Sequence, residues 1–119
     1  MSKRPTTSEF EPARLLDIFD NDRGAVREIL AEAKASMRAA IERLPQEIAS
    51  EDTQAVARLL HTLTGEAANI GANELSSLSG DLLEHIRDTR TLPVDLVERL
   101  RNAHDRFTIA LQEYLDMRG

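Results

Sequence analysis

The sequence predicts an all-α protein, an up-and-down four-helix bundle with a short additional N-terminal helix. Three observations carry that prediction. Strong helix formers (Ala, Leu, Glu, Arg) dominate a chain of 119 residues that holds only five Gly and four Pro. Apolar residues recur at three- and four-residue spacing along four long segments. The connections between those segments are short, which sets successive helices antiparallel.

Residues 1–10 are polar and terminal, and are expected to form a flexible tail ahead of one domain over residues 11–119. Residues 12–19 then read as a short helix with Pro12 at an early position. Asn21 and Asp22 are candidate caps for the next helix. Its apolar stripe runs through Val26, Ile29, Leu30, Ala33, Met37, Ala40, Ile41, Leu44 and Ile48. Pro45 removes a backbone donor and crowds the carbonyl of Ile41, yet Ile48 keeps the phase of the stripe, so a kink is expected rather than a stop.

Ser50 and Asp52 can cap a third helix with Val56, Leu59, Leu60, Leu63, Ala67 and Ile70 inward, closed by Gly71. A fourth starts near Asn73 and buries Leu75, Leu78, Leu82 and Ile86. The fifth opens at Pro93 and turns Val97, Leu100, His104, Thr108, Leu111 and Leu115 inward.

Composition excludes several function classes. A content of 41% hydrophobic and 30% charged residues suits a folded core rather than a disordered chain. The absence of cysteine removes disulfides, thiol nucleophiles and thiolate metal sites. A net charge of -6 argues against nucleic acid or anionic lipid as the main partner. No apolar run approaches the roughly 18 residues of a membrane span. The N-terminal segment lacks the apolar core of a signal peptide, so a cytoplasmic location is expected. No Gly-rich phosphate-cradling loop is present.

Three histidines remain as candidates for chemistry. His104 lies within the apolar stripe of the last helix and reads as a core or boundary residue. His85 sits beside Glu84 and Arg87 with no second histidine at helical spacing, and reads as solvated surface. The Glu-x-x-His pairs of a carboxylate-bridged bundle metal site are missing. His61 is different. At about 100° per residue it points about 160° away from Leu63, at the centre of the buried face. Gln54, Ala57, Thr64, Gly65 and Ala68 share its side of the helix, and most are too short to cover an imidazole. Gly65 in mid-helix costs roughly 1 kcal/mol relative to Ala, which a docking surface would explain. A neutral imidazole nitrogen is a nucleophile near pH 7 and can accept and release a phosphoryl group. The bland alternative is a polar residue on an ordinary solvated face.

The segment "LLHTLTGEAANIGANELSSL" resembles the signature of histidine-containing phosphotransfer (HPt) domains, in which His61, Leu63, Gly65, Ala67, Gly71 and Leu75 fall in register. The helix order, with a short first helix ending in "DIFDND", extends the resemblance over nearly the whole chain. The resemblance implies a monomeric phosphocarrier in a two-component phosphorelay, not an enzyme. His61 would take phosphate from a response-regulator receiver domain or a histidine kinase and pass it on. The domain would need no cofactor of its own, because the Mg²⁺ belongs to the receiver. Gln54, Ala57, Arg58, Thr64, Gly65 and Ala68 would form the supporting and docking surface.

Two positions depart from the family pattern. Thr64 stands where the family usually has lysine, and its hydroxyl can offer only a neutral hydrogen bond. Arg58 lies about 60° around the helix from His61 and can partly compensate. Leu83, followed by Glu84, stands where a Gln or Glu often orients the imidazole. A second function therefore stays open: a degenerate module that binds a receiver or kinase as scaffold or inhibitor without carrying phosphate.

Overall fold

The computed structural model describes residues 12–116, so the expected tail lies outside the described residues. Among the described residues five helices follow in order: α1 (Ala13–Ile18), α2 (Arg23–Ala49), α3 (Thr53–Asn69), α4 (Asn73–Thr89) and α5 (Val94–Asp116). Each helix from α2 to α5 packs on the next, α5 closes on α2, and α1 lies against α2. This is an up-and-down four-helix bundle with a short additional N-terminal helix. The α3–α4 pair is the most closely packed of the four seams, and α2–α5 is the loosest.

The helix starts follow carboxylate caps. Asp22 accepts the Ala25 N–H at 3.1 Å to begin α2, and Asp52 accepts the Ala55 N–H at 3.1 Å to begin α3. The other two candidate caps do different work. Asn21, at φ 63°, belongs to the turn that ends α1 and donates its N–H to the Leu16 carbonyl. Ser50 closes α2 instead of opening α3, its hydroxyl donating to the Glu47 carbonyl at 2.9 Å. In both pairs the residue nearer the helix is the one whose carboxylate can reach the third helical N–H.

α2 runs unbroken through Pro45. Pro45 is exposed, so the donor it removes is missing on the solvent side, where water can serve the Ile41 carbonyl. α3 ends in a Schellman turn at Gly71, which takes φ 82°. Gly71 N–H donates to Ala68 O at 3.3 Å and Ala72 N–H to Ala67 O at 2.8 Å. Because Ala72 is already the N-cap of α4, this tight turn holds α3 and α4 antiparallel along their length.

The core is led by Leu30, Met37, Leu60, Leu63, Leu75, Leu82, Leu100, Phe107 and Leu111. Two helices bury a wider arc than a single stripe. α4 also buries Ser79 and Leu83, because it is packed between α3 and α5. α5 buries Ala103 and Phe107, while Val97, Thr108 and Leu115 are only half-buried. Its contacts with both α4 and α2 rotate the buried face toward Phe107. His104 is buried, its ring 6.3 Å from that of Phe107, as expected for a core histidine.

Burial pushes the His104 imidazole below its ordinary value of 6.5; Asp105 opposes the shift, Arg38 adds to it, and Glu42 opposes it. The unfolded chain therefore takes up the proton before the folded one does. The stabilisation is complete above the unfolded value and is lost as pH falls through the lower, folded one. Melting temperature is expected to fall as pH drops below about 6.5, and His104→Leu is expected to remove that part of the slope. Leu63→Ala, in the core beneath α3, is expected to lower stability by about 2–5 kcal/mol in urea denaturation.

Candidate functional site

His61 is the middle residue of α3, on the helix face opposite Leu63. Leu63 is 2% exposed, whereas the His61 side chain is in solvent. Gln54, Arg58, Gly65 and Ala68 are exposed around it. No hydrogen bond or ion pair among the described residues engages His61 or Arg58.

Gly65 stands in open space: a Cβ built there meets nothing within 4 Å. It does not occupy the positive-φ region either, which among the described glycines only Gly71 does. Neither internal packing nor backbone conformation therefore requires glycine at this position. The roughly 1 kcal/mol that a mid-helix glycine costs has no explanation within the folded chain.

Ala57 and Thr64 lie at the margin of the clearing. Both are half-buried, and Ala57 packs against the core. Successive residues turn by about 100°, which puts Ala57 and Thr64 on the α4 side of His61 and Arg58 and Thr62 on the α2 side. One helix's periodicity separates inside from outside, but it does not say which flank receives the next helix.

On the α4 side the seam is polar. Thr64 Oγ1 lies 2.7 Å from the Leu60 carbonyl, to which it donates, and 2.8 Å from Ser79 Oγ. Ser79 Oγ is 2.9 Å from Leu75 O and 3.2 Å from Ser76 O. Ser76 Oγ donates to Thr64 O at 3.2 Å. Each hydroxyl has one proton, and every acceptor here is inside the seam. The Thr64 hydroxyl is thus committed to joining α3 to α4, rather than offered to a group on His61. Ser76 and Ser79 were not singled out from the sequence. The available signal was Ser79 on the buried arc of α4, between Leu75 and Leu82.

Leu83, at the position where the resemblance suggests a polar residue, is 6% exposed and belongs to the core. Glu84 is exposed. Neither orients the His61 ring. On the α2 side, a groove of about 300 Å³ runs between α2 and α3, lined by Ser36, Ala40, Arg43, Glu47, Arg58 and Thr62 among others. Arg43 bonds Glu47 there at 2.9 Å. Glu66 also faces α2, accepting from Ser36 Oγ at 2.7 Å.

The other histidines offer no comparable surface. His85 Nε2 lies 3.1 Å from Thr91 Oγ1 in the turn after α4, so it is tied to the loop instead of being simply solvated. His104 is buried in the floor of a groove of about 620 Å³ between α2 and α5, with Arg38, Glu42, Arg101 and Asp105 around it.

A family model described as Hpt domain matches residues 28–113, which spans most of α2 and α5 and all of α3 and α4. The chain belongs to the Hpt domain family. Hpt domains take part in phosphotransfer within two-component signalling. No match was found among curated proteins or among solved structures. No helix among the described residues of this Hpt domain is long and apolar enough to cross a membrane.

Gly65→Ala is expected to stabilise the domain by about 0.5–1 kcal/mol, read as a higher urea midpoint, since the methyl enters open space. A loss of stability would mean that the glycine serves the fold. Thr64→Lys is expected to destabilise by about 0.5–1.5 kcal/mol, because it removes the Thr64–Ser79 hydrogen bond from the seam while Ser79 keeps the Leu75 and Ser76 carbonyls.

Proposed function

We propose that this Hpt domain is a phosphocarrier and that His61 is its phosphoacceptor. The observation that supports this reading best is the unfilled space at Gly65, beside an exposed and unpartnered histidine at mid-helix. A receiver domain can set its phosphorylated aspartate over this clearing. The neutral imidazole nitrogen then attacks phosphorus in line, the N–P bond forms, and the P–O bond to the aspartate breaks. The same steps in reverse donate the group to a second receiver. The partner, a receiver or a histidine kinase, brings the catalytic groups, and a receiver brings Mg²⁺. The Hpt domain contributes the nucleophile, held on a rigid helix, and a surface that admits the partner.

A binding-only module is the second reading. It is favoured by the seam chemistry: the Thr64 hydroxyl is already used and Leu83 is in the core, so no neighbour on the α4 side assists His61. The two readings separate on whether phosphate becomes covalently attached.

Incubation with a phosphorylated receiver is expected to give an acid-labile label that His61→Gln abolishes with helicity unchanged. Label that persists in this variant would place the acceptor elsewhere, and no label in the parent would favour the binding-only reading. Ala68→Arg is expected to lose receiver affinity, measured by calorimetry, while stability changes by no more than about 0.5 kcal/mol. Unchanged affinity would place docking on another face.

A further inference from the structure

A phosphoryl group on His61 would bring up to two negative charges to the middle of an exposed helix face. Its two flanks differ in what they can offer that charge. On the α4 side the nearest polar group is the Thr64 hydroxyl, whose single proton goes to Leu60 O and whose oxygen is bonded to Ser79 Oγ. Leu83 is apolar and buried. Thr64 and Leu83 therefore supply neither a cation nor a free donor on this flank, and its exposed arginine, Arg87, stands on a neighbouring helix one turn beyond Leu83.

The α2 side differs. Arg58 is the only Lys or Arg in α3, it is exposed, and it stands one helical turn before His61. Side chains at that spacing are neighbours, with Cβ atoms about 5–6 Å apart, a gap that an arginine spans. Glu47, the carboxylate lining the same groove, is already bonded to Arg43. Arg58 therefore has neither an anion among the described residues nor a hydrogen bond that would hold it away from His61.

We infer that Arg58 is the counter-charge to the phosphoryl group on His61, so that the phosphorylated site is balanced from the α2 side. The inference rests on His61 being the phosphoacceptor. A guanidinium presents paired N–H donors that match two phosphoryl oxygens, which a threonine hydroxyl cannot do. The role is positional and electrostatic: Arg58 takes no proton and forms no bond to phosphorus. It holds the dianion and leaves the side facing the partner open for in-line attack. Because the site is exposed, the effect is modest and sensitive to salt.

The test uses phosphoramidate, a small donor that needs no protein partner. The neutral imidazole nitrogen displaces ammonia from phosphorus: the donor's N–P bond breaks, a new one forms on His61, and charge is conserved. Phosphorus NMR then follows the ionisation of the attached group with pH. In Arg58→Gln the titration midpoint is expected to rise by about 0.3–0.7 pH, equivalent to a two- to fivefold weaker hold on the dianion. Arg58→Lys is expected to restore part of the shift, and high salt to shrink it. Thr64→Val is expected to leave the midpoint unchanged while loosening the α3–α4 seam, which separates charge balance from structural support. A midpoint unmoved in Arg58→Gln, with phosphate still on His61, overturns the inference and leaves the phosphocarrier reading standing. Failure of the parent to label at His61 overturns both.

Discussion

Burial of Val56, Leu60, Leu63 and Ala67, each at most 2% exposed, fixes the rotation of α3 about its own axis. That rotation sets the direction in which His61 points. Slipping the helix by one residue would turn it by about 100°, drive polar side chains toward the core and expose leucine. The His61 face needs no contacts of its own to stay in place, because the opposite face carries the constraint. This is why a histidine can stand unpartnered at mid-helix and why Gly65 can be tolerated beside it. The proposed docking surface is held by the core beneath it rather than by a loop.

The α3–α4 seam imposes a second constraint. Gly71 brings the two helices together through a very short turn, and Thr64, Ser76 and Ser79 satisfy one another where they meet. A buried hydroxyl such as that of Ser79, at 0% exposure, needs such a partner. Thr64 thereby serves packing at a position where a long cation would face solvent. The consequence is an asymmetric site: internally bonded on the α4 side, and on the α2 side open, with Arg58 exposed and unengaged among the described residues. The proposed chemistry at His61 then draws its electrostatic support from Arg58. The loose α2–α5 seam, with His104 in its floor, lies on the far side of the bundle and affects stability rather than the site.

Much of this was legible in the residues. The stripe of α2, the caps Asp22 and Asp52, the glycine stop at position 71 and the outward direction of His61 all follow from local rules of periodicity and capping. What was not legible depends on neighbours. Asn21 and Ser50 are good cap residues by type, yet the chain used the carboxylate after each of them. Phe107 and Leu83 lie beside the strongest stripes of their helices and are buried because each helix touches two others. Ala57 and Thr64 share a helix side with His61 in projection, and only the position of α4 turns them inward. The Thr64–Ser79 bond joins residues from two helices, so no single-helix pattern contains it.

The central claim is that the exposed, core-supported histidine of α3, and no other, carries phosphate. The most direct measurement is nitrogen–phosphorus coupling in NMR of the protein with isotopically labelled histidine rings, recorded after transfer from a phosphorylated receiver. The account predicts coupling at one ring only, assigned to His61, with the His85 and His104 signals unchanged. Coupling on either of those rings, or none in a protein that still binds the receiver, would contradict it.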